Sequence, residues 1–332
     1  KSNVVFGKWF ASTADTGRWK ATVHNVPAGA YCKRRFVSRF PGGFILANDM
    51  SQAEVRELAA VSHCEKLLDT VRDPNIDIHK KTASLAFDVP YDEVTSTQRK
   101  QTKEGIFSVV YGRELESLAS TLFKGDKAAA KRLMDSIFRV YPEIPEYLAD
   151  AFADVKKHGY LVTRRGCPIF INPYAEGTYK GDNSIKRLCN NYSIQGGASG
   201  FCTGTLVNVQ KLIDKYNLKS KIICYIHDAV YVDVPCEEYD IMFQILNKSF
   251  NEIATKAYDV PTSSDTETGV NMGSAVEIKR LNKWHYILEG NHVDVLELLE
   301  QFKINYDVEI LNEELGEIED ISNDIKNICL FY

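Results

Sequence analysis

The chain has 332 residues, 44% of them hydrophobic, and a formal net charge of −5, which is enough apolar mass for a real core and enough length for two lobes. Its longest apolar runs, such as Ile222 to Ile226, are far short of the ~20 residues a membrane helix needs, and Lys1 to Val5 lack the apolar centre of a signal peptide. Eight cysteines show no CxxC or Cys/His spacing; this argues against a zinc site and for reduced thiols in a cytoplasmic protein that is not secreted.

Phe44 to Asp49 is a short apolar run ending in an acid, which predicts a buried strand. Ser51 to Leu68 has helical spacing, with Ser51 as a cap and Glu54 three residues later. Helices are predicted over Ile78 to Phe87 and over Ser96 to Tyr111, the second capped by Thr95 or Ser96. Lys127 to Tyr141 and Ile144 to Lys157 are two further amphipathic helices. Gly159 to Thr163 and Pro168 to Ile171 read as a hairpin. Ser184 to Tyr216 is helical in two stretches around Gly196-Gly197. Lys221 to Ile226 and Ala229 to Val234 form a strand-turn-strand around His227-Asp228. A helix over Glu237 to Tyr258 and a final strand over Met272 to Lys279 complete an α+β layout. From Glu289 onward twelve acids face two lysines, a local −10 that leaves the rest of the chain at +5. A mildly basic body suits a phosphate-binding surface.

Two features carry chemistry. Asp49 ends an apolar strand and Asp228 sits at a hairpin tip. Two such carboxylates brought together repel unless cations lie between them, and Mg²⁺ prefers oxygen ligands of this kind. Arg99, Lys103, Phe107 and Tyr111 recur every fourth residue and form one stripe on a helix. Its cations could hold a triphosphate and its rings meet a sugar and base. Read alone, each Asp is as readily a turn or cap residue, and the helix an ordinary amphipathic one with solvated cations.

Taken in order, three segments resemble motifs A, B and C of family A DNA polymerases, the DNA polymerase I type. They are Asp49-Met50-Ser51-Gln52-Ala53-Glu54, the stripe Arg99-x3-Lys103-x3-Phe107-x3-Tyr111-Gly112, and Ile226-His227-Asp228. Thr16-Gly17-Arg18, His24 to Pro27, Asp77-Ile78-His79 and Asn191 to Gly196 are also similar to family segments, and the resemblance spans about residues 4–280. It implies a right-hand polymerase fold, with an antiparallel palm sheet and a mostly helical fingers subdomain. Residues 1–56 and 191–280 would be palm, 57–190 fingers, and 281–332 an acidic extension.

The resemblance also implies roles. Asp49, Asp228 and the Met50 carbonyl would bind two Mg²⁺ ions, with Mn²⁺ as a substitute. The primer 3′-hydroxyl would attack the α-phosphate of a dNTP. Gln52, His79, Arg99 and Lys103 would contact the triphosphate, and Lys103 would donate a proton to the departing pyrophosphate. Glu54 would exclude a ribose 2′-hydroxyl. Phe107 would pack on the sugar, its lack of a hydroxyl implying poor use of dideoxynucleotides, and Tyr111 would lie near the templating base. Arg18, Asn25, Asn191, Gln195 and His227 would touch primer-template DNA. The bland readings remain beside these: Glu54 as a capping-box residue, His79 as a structural histidine, Asn25 and Asn191 as local caps.

Three departures qualify the resemblance. Ala229 follows Asp228 where many relatives carry Glu. No thumb or 3′–5′ exonuclease is present and no initiator Met, so the expectation is a C-terminal piece of a longer or split polymerase, completed by a second polypeptide. The acidic tail, with an amphipathic stretch from Val293 to Phe302, is either a bland extension or a partner-docking segment. Composition suits a phage or other viral replicase. Two alternatives stay open: a single-subunit RNA polymerase, against which Glu54 and Phe107 argue, and a catalytically inactive DNA-binding subunit, which Ala229 favours.

Overall fold

The computed structural model describes residues 8–10, 14–21, 26, 30–73, 75–172, 181–226, 228–282, 285–294 and 297. Asn25 and His227, and nearly all of the acidic segment with its amphipathic stretch, lie outside the described residues.

Two short strands, β1 (Trp9–Phe10) and β2 (Lys20–Ala21), pair antiparallel, and one helical turn, α1 (Ala30–Lys33), follows. The strand predicted near Asp49 is β3 (Phe44–Met50). Side chains alternate along a strand, so Phe44, Leu46 and Met50 share one face while Ala47 and Asp49 share the other. The chain then builds a helical lobe from α2 (Ala53–Val61), α3 (Glu65–Arg72), α4 (Ile78–Phe87), α5 (Ser96–Val110), α6 (Leu115–Leu122), α7 (Lys127–Val140) and α8 (Glu143–His158). The hairpin β4 (Tyr160–Val162) and β5 (Pro168–Phe170) leads to the long helix α9 (Asp182–Lys215). The chain returns to the sheet through β6 (Lys221–Ile226) and β7 (Ala229–Val234). After α10 (Tyr239–Lys248), a π-helical turn at Ser249–Ile253 and α11 (Ala254–Tyr258), it adds β8 (Ser264–Gly269), β9 (Val276–Asn282), β10 (His285–Leu288) and β11 (Asn291–Asp294).

The main sheet has the order β11-β10-β9-β8-β3-β7-β6, with every pairing antiparallel. Its closed face packs Phe44, Leu46, Val230 and Val232 against α9 and α10, through Phe201, Val209, Tyr239 and Phe243. The other face, carrying Asp49, is open at that end. A second core joins α2, α5 and α7 through Leu58, Ile106, Val109 and Ile137, and takes in Ile194 of α9. α9 therefore belongs to both cores and ties the helical lobe to the sheet.

Four expectations need correction. The helix expected over Ser51 to Leu68 is two helices. The chain turns at His63, whose φ is 51°, and Cys64 is fully buried at the start of α3. Ser51 is not its cap: the Ser51 hydroxyl donates to Asp265, and Gln52 occupies the N-cap with φ 54° and no side-chain cap bond. α9 runs unbroken through Gly196-Gly197. Each mid-helix glycine costs about 1 kcal/mol relative to Ala, but here they permit close approach. A Cβ at Gly197 would overlap the Glu57 carboxyl, and one at Gly196 would lie 2.7 Å from Ile169 Cδ1. The strand expected over Met272 to Lys279 begins at Val276 and is not the last, since β10 and β11 extend the sheet. The helix expected over Glu237 to Tyr258 is present, with the π-helical turn inside it.

Glu57 itself is fully buried between α2 and α9. Neither carboxyl oxygen has a hydrogen-bond partner, and Arg164 Nε stands 3.9 Å away. Burial lifts its pKa to about 7, against the pull of Arg164 and Arg165. The folded state thus holds this proton more tightly than the unfolded chain, where the group titrates at 4.5. Its contribution is full below the unfolded value and falls as pH rises to about 7, a loss of roughly 3 kcal/mol. Denaturant midpoints of wild type and Glu57→Gln, compared over this window, are expected to diverge as pH rises, with the variant the more stable at neutral pH. Parallel profiles would show that Glu57 does not titrate there.

Candidate active site

Strand register brings the two predicted aspartates together. Asp49 pairs across β3–β7 with Ala229, so Asp228 in the adjoining turn lies beside it, and the Met50 amide donates to the Asp228 carbonyl at 3.3 Å. On the other flank Asp49 lies opposite Asp265 of β8, with Glu267 two residues further along the same face. The Asp49 pKa is pushed up to about 6, first by burial and then by Asp228, Asp265 and Glu267; the Met50 amide acts the other way. This is a partly buried carboxylate with three acids as neighbours.

Ala229 leaves no third acid in the β6–β7 hairpin, but β8 supplies two on the same face. Sequence reasoning missed Asp265 and Glu267 because β8 itself was missed. Ser264-Asp265-Thr266-Glu267-Thr268 lacks apolar alternation, and only the alternating buried threonines 266 and 268 could have signalled a strand.

Beside the aspartates, Arg18 Nη2 lies 3.5 Å from Asp228 Oδ1 and donates to Glu54 Oε1 at 3.0 Å. The other Glu54 oxygen accepts from the Tyr111 hydroxyl at 2.7 Å. Glu54 is therefore a clamped side chain, and no capping box forms. It is 7% exposed, and its pKa is raised by burial and Asp228 against the opposing effect of Tyr111 and Arg18. Burial and Glu54 in turn push the Tyr111 phenol up. The clamp joins α2, α5 and the segment before β2.

α5 presents the predicted stripe. It starts with a full capping box, in which the Thr95 hydroxyl accepts from the Gln98 amide and the Gln98 side chain accepts from the Thr95 amide. Phe107 and Tyr111 are stacked with centroids 5.9 Å apart, and Lys103 Nζ lies 5.7 Å from the Phe107 ring. His79 of α4 completes the row, its ring 5.9 Å from Phe107. It is buried, with Nδ1 unpartnered, and burial aided by Lys103 and Arg99 lowers its pKa to about 4 despite Asp77. It is a neutral imidazole at neutral pH. Arg99 Nε donates to Asp77 at 2.6 Å. Burial opposes ionisation of Asp77, but the Lys80 amide and Arg99 outweigh it and hold the pKa low. Gly112 follows the stripe at φ 57°, with Arg187 of α9 so close that a Cβ there would lie 2.7 Å from its Cα.

The structure thus brings together Asp49, Asp228, Arg18 and Glu54 with Tyr111, and continues the row through Phe107, Lys103 and His79. Gln52 lies at the start of α2 with a buried, unpartnered Oε1. Asn191, whose Oδ1 is also unpartnered, and Gln195 stand one turn apart on α9, and no hydrogen bond joins them to the clamp. Among the described residues no group of three or more His, Cys, Asp or Glu side chains is arranged to hold a metal ion. The donor set nevertheless fits hard cations: two carboxylates on adjacent strand ends, with excess negative charge that has already raised the Asp49 pKa.

An antiparallel sheet with paired aspartates at its open face, and a helical lobe that places a cation–aromatic helix over them, define the palm-and-fingers class of nucleotidyl-transfer fold. The sequence profile of DNA polymerase family A matches residues 1–274, and the chain belongs to that family. It is 31% identical over 265 residues to DNA polymerase I of Caldicellulosiruptor bescii, covering 77% of this chain and 30% of that protein. Against DNA polymerase I of Bacillus subtilis it is 27% identical over 275 residues, covering 81% and 31% respectively. Among solved structures it is similar to the POL domain of Pol1 from M. smegmatis, in complex with DNA primer-template and dNTP. That match has a TM-score of 0.72 and 28% identity, and covers 80% of this chain and 48% of the other. The chain spans about a third of the length of these curated relatives.

Proposed function

We propose that this chain carries out template-directed DNA synthesis, adding dNTPs to a primer 3′-hydroxyl. The observation that carries the reading is the clamp. Asp49 and Asp228 lie beside a Glu54 carboxylate fixed from both sides by Arg18 and Tyr111, at the foot of the Lys103–Phe107–Tyr111 row. Residues 1–56 and 191–280 act as palm and 57–190 as fingers, with β10 and β11 carrying the sheet beyond 280. Its partners are primer-template DNA and dNTPs, and it works in the cytoplasm.

Asp49, Asp228 and the Met50 carbonyl would hold two Mg²⁺ ions, for which Mn²⁺ can substitute; when bound, these activate the attacking hydroxyl and neutralise charge on the departing pyrophosphate. The chain's own residues do the rest. Lys103 meets the triphosphate and gives a proton to the leaving group. Arg99 uses its terminal amines for phosphate, since its Nε is held by Asp77. Gln52 and neutral His79 add donors without adding charge. Phe107 packs on the sugar and Tyr111 beside the templating position. Arg18, Asn191 and Gln195, with Asn25 and His227, follow the primer-template backbone and minor groove, contacts that check shape without reading sequence. Such positioning and charge placement account for most of the rate in phosphoryl transfer.

Glu54 then sets sugar choice. Clamped by two hydrogen bonds, it cannot swing aside for a 2′-hydroxyl, so Glu54→Ala is expected to lower the dNTP-over-rNTP preference by roughly a hundredfold. Single-nucleotide incorporation with each triphosphate measures this. An unchanged preference would remove the gate role, and a wild-type preference for rNTPs would favour the RNA polymerase reading.

A further inference from the structure

Arg18 is shared between two parts of the site. Its Nη2 donates to Glu54 Oε1 at 3.0 Å and lies 3.5 Å from Asp228 Oδ1. The Glu54 side chain is 8% exposed, those of Arg18 and Asp228 28% and 24%. The bond to Glu54 is thus the short, buried end of this contact, and the approach to Asp228 is the longer end, open to solvent. Among the described residues Arg18 Nε and Nη1 have no hydrogen-bond partner. The backbone beneath is anchored. Trp19 packs edge-on against Tyr225 of β6 with ring centroids 5.9 Å apart, and the turn before it closes from the Gly17 amide to the Ala14 carbonyl at 2.8 Å. Arg18 therefore changes partners by turning its side chain, without moving the strand.

Two ligands make opposite demands on that side chain. In the reading above, Asp228 takes a divalent cation and Arg18 takes primer-template DNA. A guanidinium 3.5 Å from Asp228 offsets the negative charge that would draw a cation, and repels the cation itself. DNA offers Arg18 acceptors of its own, and Nε and Nη1 are open to them. Turning toward DNA takes the positive charge off Asp228. One movement thus serves both ligands, so each binding event favours the other, and by the same factor in both directions.

We propose that Arg18 guards Asp228. It holds the carboxylate until primer-template binds and then releases it, keeping its shorter bond to Glu54, so that DNA is loaded before the cation at Asp228. This rests on the polymerase reading, which supplies both ligands.

Mn²⁺ binding to the full chain, read from the electron paramagnetic resonance signal of free Mn²⁺ with no nucleotide present, tests it. Wild type is expected to bind Mn²⁺ about tenfold more tightly with primer-template than without, after subtraction of the Mn²⁺ that DNA holds by itself. Arg18→Gln removes the charge and is expected to lose most of that ratio, by binding Mn²⁺ more tightly in the absence of DNA. Tyr111→Phe loosens Glu54 from its other side without touching Asp228, and is expected to keep the ratio. Thermal midpoints check that both variants fold. The reciprocal measurement, anisotropy of labelled primer-template with and without Mn²⁺, must give the same factor in wild type, and it stands as a test even if Arg18→Gln is unstable. A ratio unchanged in Arg18→Gln, or lost equally in Tyr111→Phe, overturns the guard. Primer-template bound by wild type with no change in Mn²⁺ affinity overturns the guard alone, whereas no binding of primer-template in any condition overturns the polymerase reading beneath it.

Discussion

Asp228→Asn is expected to lower the rate of nucleotide addition by at least about a hundredfold, with no loss of affinity for primer-template DNA. The substitution keeps size and shape and removes one charge. Asp228 is one of three acids that raise the Asp49 pKa, so its neutralisation lets Asp49 ionise more easily. It also releases Arg18 from one of its two acidic neighbours. The lost charge and the freed Arg18 make the site less repulsive to phosphate, with Asp49 offsetting part of this, so binding should hold while the chemical step collapses. A loss in kcat with an unchanged KM for DNA is the signature of a group that acts only in the transition state. A parallel loss of DNA binding would mean that Asp228 shapes the hairpin and nothing more. Asp265→Asn, which removes a charge from the neighbouring strand, should cost far less.

Arg56→Met is expected to destabilise the fold by about 3 kcal/mol or more. Arg56 is 4% exposed and buried without an ion-pair partner among the described residues. Its Nε donates to the Ser51 carbonyl at 2.9 Å and its Nη1 to the Val71 carbonyl at 2.9 Å. A further bond goes from Nη1 to the Pro261 carbonyl, and Nη2 donates to the Ser263 hydroxyl at 2.6 Å. One guanidinium thus ties the start of α2, the end of α3 and the approach to β8. Burial lowers its pKa to about 10, which leaves it charged at neutral pH. Methionine fills the space but strands four acceptors. Arg56→Lys should recover only part of the loss, since one ammonium cannot reproduce the forked geometry. Urea unfolding measures both variants, and a change under about 1 kcal/mol in Arg56→Met would show that water replaces the guanidinium. Because Ser51 adjoins Met50, the damage should also reach the Asp49 site.

The helix stripe was the most legible part of the sequence. Thr95 and Gln98 form a local capping box, and the four-residue recurrence of Arg99, Lys103, Phe107 and Tyr111 follows from helical geometry alone. β3 and the β6–β7 hairpin were likewise readable from short apolar runs. What pairs with what was not. Asp49 and Asp228 meet only because β3 and β7 are neighbours, and no local pattern encodes a contact between residues so far apart. β8 was invisible because its inward positions are threonines, of which Thr266 accepts a hydrogen bond from Asn48. Gly196-Gly197 was misread as a break because glycine as a helix interrupter and glycine as a close-contact residue look alike until Glu57 and Ile169 are seen beside them. Glu54 was singled out from its motif. Its hydrogen bond to Tyr111 needed α2 and α5 to pack through Leu58 and Val109.

The central claim is that this chain copies DNA, and the most direct measurement is extension of a labelled primer on a DNA template with Mg²⁺ and the four dNTPs. The account requires products whose sequence is set by the template, more made from dNTPs than from rNTPs, and formed at least about a hundredfold more slowly by Asp228→Asn. Extension that ignores the template, or folded, DNA-bound wild-type chain that adds no nucleotide with either triphosphate set, would contradict it and favour a binding subunit that keeps the fold without the chemistry.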